Sequence, residues 1–146
     1  ALRCDLRLVS ENGIFAELFI RVGMIPDGGG TYLLPRLVGL GRAMEMMFTG
    51  EDVPAKQALE YGLANRVFPA ETFEADVAAF AQNLASKAPL ALRRGKRAML
   101  AALEDSSYEN ALLREATLQR EIFASQDGVE GFQAFLEKRR PQWKGQ

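Results

Sequence analysis

Histidine is absent from this 146-residue chain, and cysteine occurs once, as Cys4. The lack of histidine excludes Ser-His-Asp and Cys-His catalysis as well as imidazole metal sites. A single cysteine forms neither an internal disulfide nor a zinc site, and we expect Cys4 to be a buried residue of a strand. Acid–base chemistry must therefore come from carboxylates, lysines, tyrosines or backbone dipoles, and we expect no histidine or cysteine metal site.

The chain also lacks a charge imbalance and a long apolar run. Lys and Arg number 18 and Asp and Glu number 19, so the net charge is −1. This balance gives no general attraction to nucleic acid or to an anionic membrane. No apolar run approaches the roughly 20 residues that cross a bilayer, and no signal peptide is recognisable. We therefore expect a cytoplasmic protein that binds neither nucleic acid nor membrane.

The hydrophobic pattern divides the chain into two parts, residues 1–69 and residues 70–146. The first part mixes short helices and turns with two predicted strands, at 4–10 and 63–69. In the first strand, Leu6 and Leu8 alternate with Asp5 and Arg7, which are expected on the opposite face. The second part predicts long amphipathic helices. Because two strands alone are marginally stable, the first part is typical of the end of a larger sheet.

The stretch "GMIPDGGGT", residues 23–31, places Asp27 between a proline and three glycines. Glycines let backbone N–H groups approach a ligand, and a helix N-terminus carries partial positive charge. The Gly-Lys-Ser/Thr ending of a phosphate-binding loop is missing. From this stretch alone, the favoured interpretation is that Asp27 caps a helix that begins at Gly28, and the alternative is chemistry on a bound ligand.

Further motifs follow this stretch in a fixed order: "LPR" at 34–36, "RA" at 42–43, "TG" at 49–50, and "AKQALEYGLANRV" at 55–67. The chain then ends in "SQDGVEGFQAFLEKRRPQW" and a few further residues. Together these motifs resemble the enoyl-CoA hydratase/isomerase (crotonase) superfamily. The resemblance implies an α/β fold, namely the C-terminal half of a crotonase-like spiral of ββα units with few strands. Residues 1–69 would hold the acyl-pocket turn, and residues 70–146 would form a helical region for trimerisation and CoA contacts.

The resemblance also implies that part of the site lies outside this sequence. Members of the family are close to twice as long, and this chain matches only their second half. The two backbone N–H groups that polarise the thioester carbonyl, and one hydratase glutamate, would precede Ala1. The second hydratase glutamate would fall at Phe19, which cannot transfer a proton, and Glu17 nearby is the alternative carboxylate. We therefore expect the 146-residue chain alone to be inactive.

The remaining site residues are also implied by the resemblance. Some isomerases and dehalogenases of the superfamily use an aspartate at the position of Asp27, which we expect to be catalytic and buried against Phe19 and Ile25. Phe19 would pack in the acyl pocket. Substrate contacts are further expected from these residues: Val22, Gly28, Gly29, Phe135 and Lys138. Phe135 and Lys138 would approach the CoA nucleotide, the alternatives being a core phenylalanine and a solvated lysine.

The favoured function is therefore that of an acyl-CoA enzyme that isomerises a double bond, or performs a related step, through a thioester enolate. One alternative is an enoyl-CoA hydratase with a non-standard site. Another is a catalytically incomplete module that binds acyl-CoA or assembles with other chains. CoA would arrive as part of the substrate and not as a cofactor. Residues 70–146 resemble the trimer-forming region of the family, which implies a homotrimer or hexamer, and their apolar helix faces agree with burial against partners.

Overall fold

The computed structural model describes all 146 residues, which form two compact units, residues 1–80 and 81–146. The first unit contains four short strands, a 3₁₀-helix and three helices: β1 (Leu8–Ser10), β2 (Ile14–Phe15), the 3₁₀-helix (Leu18–Val22), α1 (Gly30–Val38), α2 (Leu40–Thr49), β3 (Val53–Pro54), α3 (Ala55–Tyr61) and β4 (Arg66–Phe68). Helix α4 (Phe73–Ala85) runs across the boundary between the units. The second unit contains α5 (Pro89–Ala102), α6 (Tyr108–Phe123) and α7 (Gln126–Leu136). None of these helices has the length and apolar character that crossing a membrane requires.

The strands of the first unit form two separate two-stranded sheets. β1 pairs with β4 in parallel, with Leu8 opposite Arg66, and both strands lie inside the predicted segments. β2 pairs with β3 in antiparallel orientation, with Ile14 opposite Pro54. The sequence pattern missed this second sheet, since its strands have only two residues each and show no alternation.

The predicted faces of the first segment are wrong in the structure. Arg7 is buried at 8% exposure, whereas Leu6 is 41% exposed and Cys4 is exposed. The Arg7 guanidinium donates to the backbone carbonyls of Cys4, at 2.8 Å, and Leu63. A buried cation is tolerated when its donors are satisfied, and here carbonyl oxygens satisfy them. Arg7 therefore ties the segment before β1 to the segment before β4.

The core of the first unit lies among α1, α2, β3, α3 and the segment after α3. Its buried members are Leu34, Val38, Ala43, Met46, Val53, Ala58, Leu63 and Ala64. Helix α1 continues through Pro35. A proline inside a helix removes one backbone hydrogen bond. The burial of Leu34 and Val38 on either side of it holds this helix against the core.

The helices of the second unit begin at local signals in the sequence. Pro89 occupies the first turn of α5, and the hydroxyls of Ser107 and Ser125 cap α6 and α7 by accepting from backbone N–H groups. Asp127 is 3% exposed and its carboxylate accepts from the backbone N–H groups of Lys144, at 2.7 Å, and Gly145, at 2.9 Å. It thus fastens the C-terminal segment to the start of α7.

Candidate active site

The glycine-rich turn between the 3₁₀-helix and α1 uses its three glycines for two different reasons. Gly28 and Gly29 have φ angles of +56° and +93°, in the left-handed region that side chains disfavour. Gly30 has no positive φ, but a Cβ atom there would lie 3.1 Å from Cβ of Pro26. The chain therefore turns sharply after Asp27 and then begins α1 in close contact with Pro26.

Asp27 stands at the start of this turn, and its side chain does not cap α1. The N-cap residue is Gly29, with no side-chain cap, while the backbone carbonyl of Asp27 accepts from Gly30 N at 2.8 Å. The capping interpretation is therefore wrong. The expected burial is also wrong, because Asp27 is exposed and Ile25 is 73% exposed. The Asp27 carboxylate makes no hydrogen bond within the chain and is free to contact another molecule.

Glu17 supplies a second carboxyl group beneath the same turn. Its exposure is 9%, and its two carboxylate oxygens lie 3.7 and 3.9 Å from the point that a Cβ on Gly30 would occupy. Burial raises the pKa of the Glu17 carboxyl above its usual value, and the negative charge of Asp27 raises it further. The turn thus carries a buried carboxyl group beside an exposed one. The sequence offered Glu17 only as an alternative, because the spacing from Asp27 reveals no contact.

The segment before the turn is the 3₁₀-helix, Leu18–Val22. Glu17 precedes the helix as its N-cap, and Phe19 lies in its first turn, half-buried. Val22 is the last residue of the helix and is 69% exposed. Met24 N donates to the Phe19 carbonyl at 3.0 Å, and Arg21 donates to the Gly50 carbonyl at 2.6 Å. These hydrogen bonds fix the conformation of the segment that contains Phe19 and Val22 and leads into the Asp27 turn.

Phe135 and Lys138 lie in the second unit, at the end of α7. Phe135 is 79% exposed and lines an open apolar groove of about 310 Å³ together with Phe132 and Trp143. Phe135 is therefore not a core residue. Lys138 is exposed, has a φ of +53°, and donates its backbone N–H to the Phe135 carbonyl at 3.2 Å. The backbone thus brings an exposed aromatic ring and an exposed cation to the same helix end.

The structure contains no group of three or more His, Cys, Asp or Glu side chains that could hold a metal ion. The carboxyl groups of Glu17 and Asp27 could transfer protons beside the exposed backbone of the glycine-rich turn.

Comparison with known proteins decides the family. The sequence model of the enoyl-CoA hydratase/isomerase family matches residues 1–146. The chain belongs to this family. A probable enoyl-CoA hydratase of Rhodobacter capsulatus is 39% identical to it over 99% of the chain and 56% of that protein. The 2,3-dehydroadipyl-CoA hydratase of Escherichia coli is 36% identical over 99% of the chain and 56% of that protein.

Solved structures of the family have the same fold as this chain. The enoyl-CoA hydratase of Bacillus anthracis superposes with a TM-score of 0.94 at 36% identity, covering 99% of the chain and 56% of that structure. An enoyl-CoA hydratase of Mycobacterium tuberculosis gives a TM-score of 0.93 at 31% identity. The fold is therefore a partial crotonase fold, as predicted. The chain spans about half the length of the enoyl-CoA hydratase/isomerase relatives that it matches.

Proposed function

We propose that this chain contributes the proton-transferring group of an acyl-CoA site, in which Asp27 moves a proton between carbon atoms of a thioester substrate. The family supplies the class of enzyme, and the free carboxylate of Asp27 carries the more specific assignment. Asp27 is exposed, unbonded and placed at a turn whose glycines leave the backbone uncovered. These are the properties that a general base needs before its substrate arrives.

Isomerisation is the reaction that one exposed carboxylate serves most directly. For a 3-enoyl thioester, the base removes a proton from the α-carbon and the electron pair enters a conjugated dienolate. The same carboxyl group then returns the proton to the γ-carbon, which gives the 2-enoyl thioester. No atom is gained or lost, and no water molecule needs activation. The negative charge on the thioester oxygen requires N–H donors, which the resemblance assigns to the part of the fold before Ala1.

We propose separate substrate contacts in each unit. We propose that Phe19, Val22, Gly28 and Gly29 border the acyl portion, since they flank Asp27 on the chain. In the second unit, the exposed Lys138 offers a cation to the phosphates of CoA, and Phe135 offers an apolar ring to the nucleotide. CoA then acts as part of the substrate, and no other cofactor is required.

Hydration of a 2-enoyl thioester is the second candidate, and two observations favour it. The relatives compared above are named as hydratases. Glu17 also places a second carboxyl group beside Asp27, so that one group could take a proton from water while the other protonates the α-carbon. Phe19 opposes this candidate, because it stands where the resemblance puts a hydratase glutamate.

The decisive experiment compares the purified full-length protein with its Asp27→Asn variant on 3-enoyl-CoA and on 2-enoyl-CoA. We expect isomerisation, with kcat about 10²- to 10⁴-fold lower in the variant, because general acid–base catalysis contributes about that factor. Asp52→Asn is the matched control. Asp52 is an exposed aspartate of the same unit whose single ion pair, with Arg21, spans 4.0 Å. This control should keep the activity of the unaltered protein.

The outcomes separate the candidates. Rapid hydration that Asp27→Asn leaves intact would refute the isomerase assignment and favour the hydratase. Saturable acyl-CoA binding with no turnover of either substrate would favour the binding or assembly module. The homotrimer or hexamer stays a prediction from the resemblance, and exposed apolar side chains such as Met99 (74%) and Leu103 (79%) support it. The cytoplasmic location also stays a prediction.

A further inference from the structure

Glu17 is a buried carboxyl group that has no partner in the chain. It is 9% exposed, forms no ion pair and accepts no hydrogen bond from any side chain or backbone group. Buried carboxyl groups normally obtain such partners, because a desolvated negative charge is costly. The chain has no fully sealed side-chain oxygen without a partner, so the Glu17 oxygens keep a narrow contact with solvent. The group can therefore exchange a proton while remaining in an apolar setting.

The charged groups around Glu17 do not compensate its charge. Arg21, on the adjacent 3₁₀-helix, is directed to the Gly50 carbonyl and to Asp52. Arg36, on α1, stacks over the ring of Tyr32 at 3.5 Å from the centroid. The one charge that contributes to the pKa shift of Glu17 is that of Asp27, and it has the same sign.

When two neighbouring carboxyl groups differ in burial, the negative charge resides mainly on the more exposed group. The buried member loses more solvation on ionising, and this loss raises its pKa. In this turn Glu17 is the buried member and Asp27 the exposed member. The raised pKa of Glu17, caused first by burial and then by Asp27, agrees with that division.

We propose that Glu17 is a positioning residue that holds the proton of the carboxyl pair, so that Asp27 is the member that presents negative charge to the substrate. This inference rests on the proposed function of Asp27 for its catalytic meaning, but the charge division itself does not depend on activity. A neutral Glu17 beneath the turn leaves Asp27 as a single base with one proton to give and take. An ionised Glu17 would place a second negative charge beneath that base.

The test reads the titration of Glu17 directly, by ¹³C NMR of the side-chain carboxyl groups in the full-length protein. We expect its midpoint to lie above the ordinary value of 4.5. In Asp27→Asn the midpoint should fall, because the like charge is gone, without returning fully to the ordinary value, because burial remains. A Glu17 midpoint at or below the ordinary value would overturn the proposal, as would a midpoint that Asp27→Asn leaves in place.

The pH profile of kcat links this titration to the reaction. The unaltered protein should show an inflection at the Glu17 midpoint. Glu17→Gln should lack this inflection, since a glutamine side chain cannot lose a proton in this pH range. Glu45→Gln, an exposed glutamate on α2, is the control and should keep the inflection. Identical profiles for the unaltered protein and Glu17→Gln would overturn the positioning role. Full activity of Asp27→Asn would instead overturn the proposed function, while the NMR titration would still decide the charge division.

Discussion

Replacing Asp127 by asparagine should release the C-terminal segment from the second unit. Asp127 is 3% exposed, and its two carboxylate oxygens accept from the backbone N–H groups of Lys144 and Gly145. Asparagine has the same shape but only one side-chain oxygen. Its amide NH₂ group would face a backbone N–H, so that two donors oppose each other. The variant therefore keeps at most one of the two contacts.

The cost follows from the bond that is lost. A hydrogen bond to a charged group contributes about 1.5–3 kcal/mol net, and its buried partner is left unsatisfied. Since about 1.4 kcal/mol corresponds to a tenfold change in an equilibrium constant, the segment should open about 10- to 150-fold more often. Asp127 also lies in the first turn of α7, where loss of its charge costs a further ~0.3–1 kcal/mol of helix stability.

Two measurements detect the opening of the C-terminal segment. The amide protons of Lys144 and Gly145 should exchange with solvent faster by the factor given above. Trp143 is the only tryptophan, and its indole N–H donates to the Ser86 carbonyl at 2.9 Å. Its fluorescence should therefore shift to the red as the segment opens. Glu109→Gln is the matched control, because Glu109 lies in the first turn of α6 and does not contact the C-terminal segment.

The expected pattern is faster exchange and a red-shifted emission in Asp127→Asn, with neither in Glu109→Gln. If both amides of the Asp127 variant exchange within threefold of the unaltered protein and the Trp143 emission is unchanged, the fastening role of Asp127 is refuted.

Two further predictions concern stability. A Cβ at Gly128 would collide with the Ile122 carbonyl oxygen, so Gly128→Ala should lose more than about 2 kcal/mol in urea unfolding. Gly95 is a helical position with open space around it, so Gly95→Ala should be neutral or more stable. Equal stabilities of these two variants would contradict the packing argument. The raised pKa of Glu17 means that the folded state binds a proton more tightly at this group than the unfolded state does. The free energy of unfolding should therefore fall as pH rises from about 4.5 through the folded midpoint. Glu17→Gln should remove that fall, and parallel pH–stability curves for the two proteins would contradict it.

The sequence predicted best those features that depend on neighbouring residues. Helix α3 begins after Pro54 and ends at Gly62 in the left-handed conformation, as expected from local chemistry. Arg7 shows where local pattern fails. The alternation around β1 is regular, yet the buried position belongs to the arginine. Its donors are satisfied by the nearby Cys4 carbonyl and by the Leu63 carbonyl, which is distant in sequence. The number and spacing of apolar residues do not reveal these hydrogen bonds of Arg7.

In the candidate site, too, some features depend on neighbouring residues and others on residues distant in sequence. The glycine-rich turn was readable from residues 23–31. The conformation of the turn was not, since Gly28 and Gly29 both adopt positive φ and move the N-cap from Asp27 to Gly29. The Glu17 carboxyl group lies against Gly30 at the start of α1, and spacing alone does not reveal that contact.

These two departures from expectation have one structural cause. Because Gly28 and Gly29 turn the chain before α1 begins, the Asp27 side chain is carried away from the helix N-terminus and remains unbonded. Because Gly30 has no Cβ, Pro26 and the carboxyl group of Glu17 fit closely against the first residue of that helix. A single run of glycines thus exposes one carboxyl group and buries the other. Unequal burial is the condition under which two like groups acquire different proton affinities, and therefore different tasks.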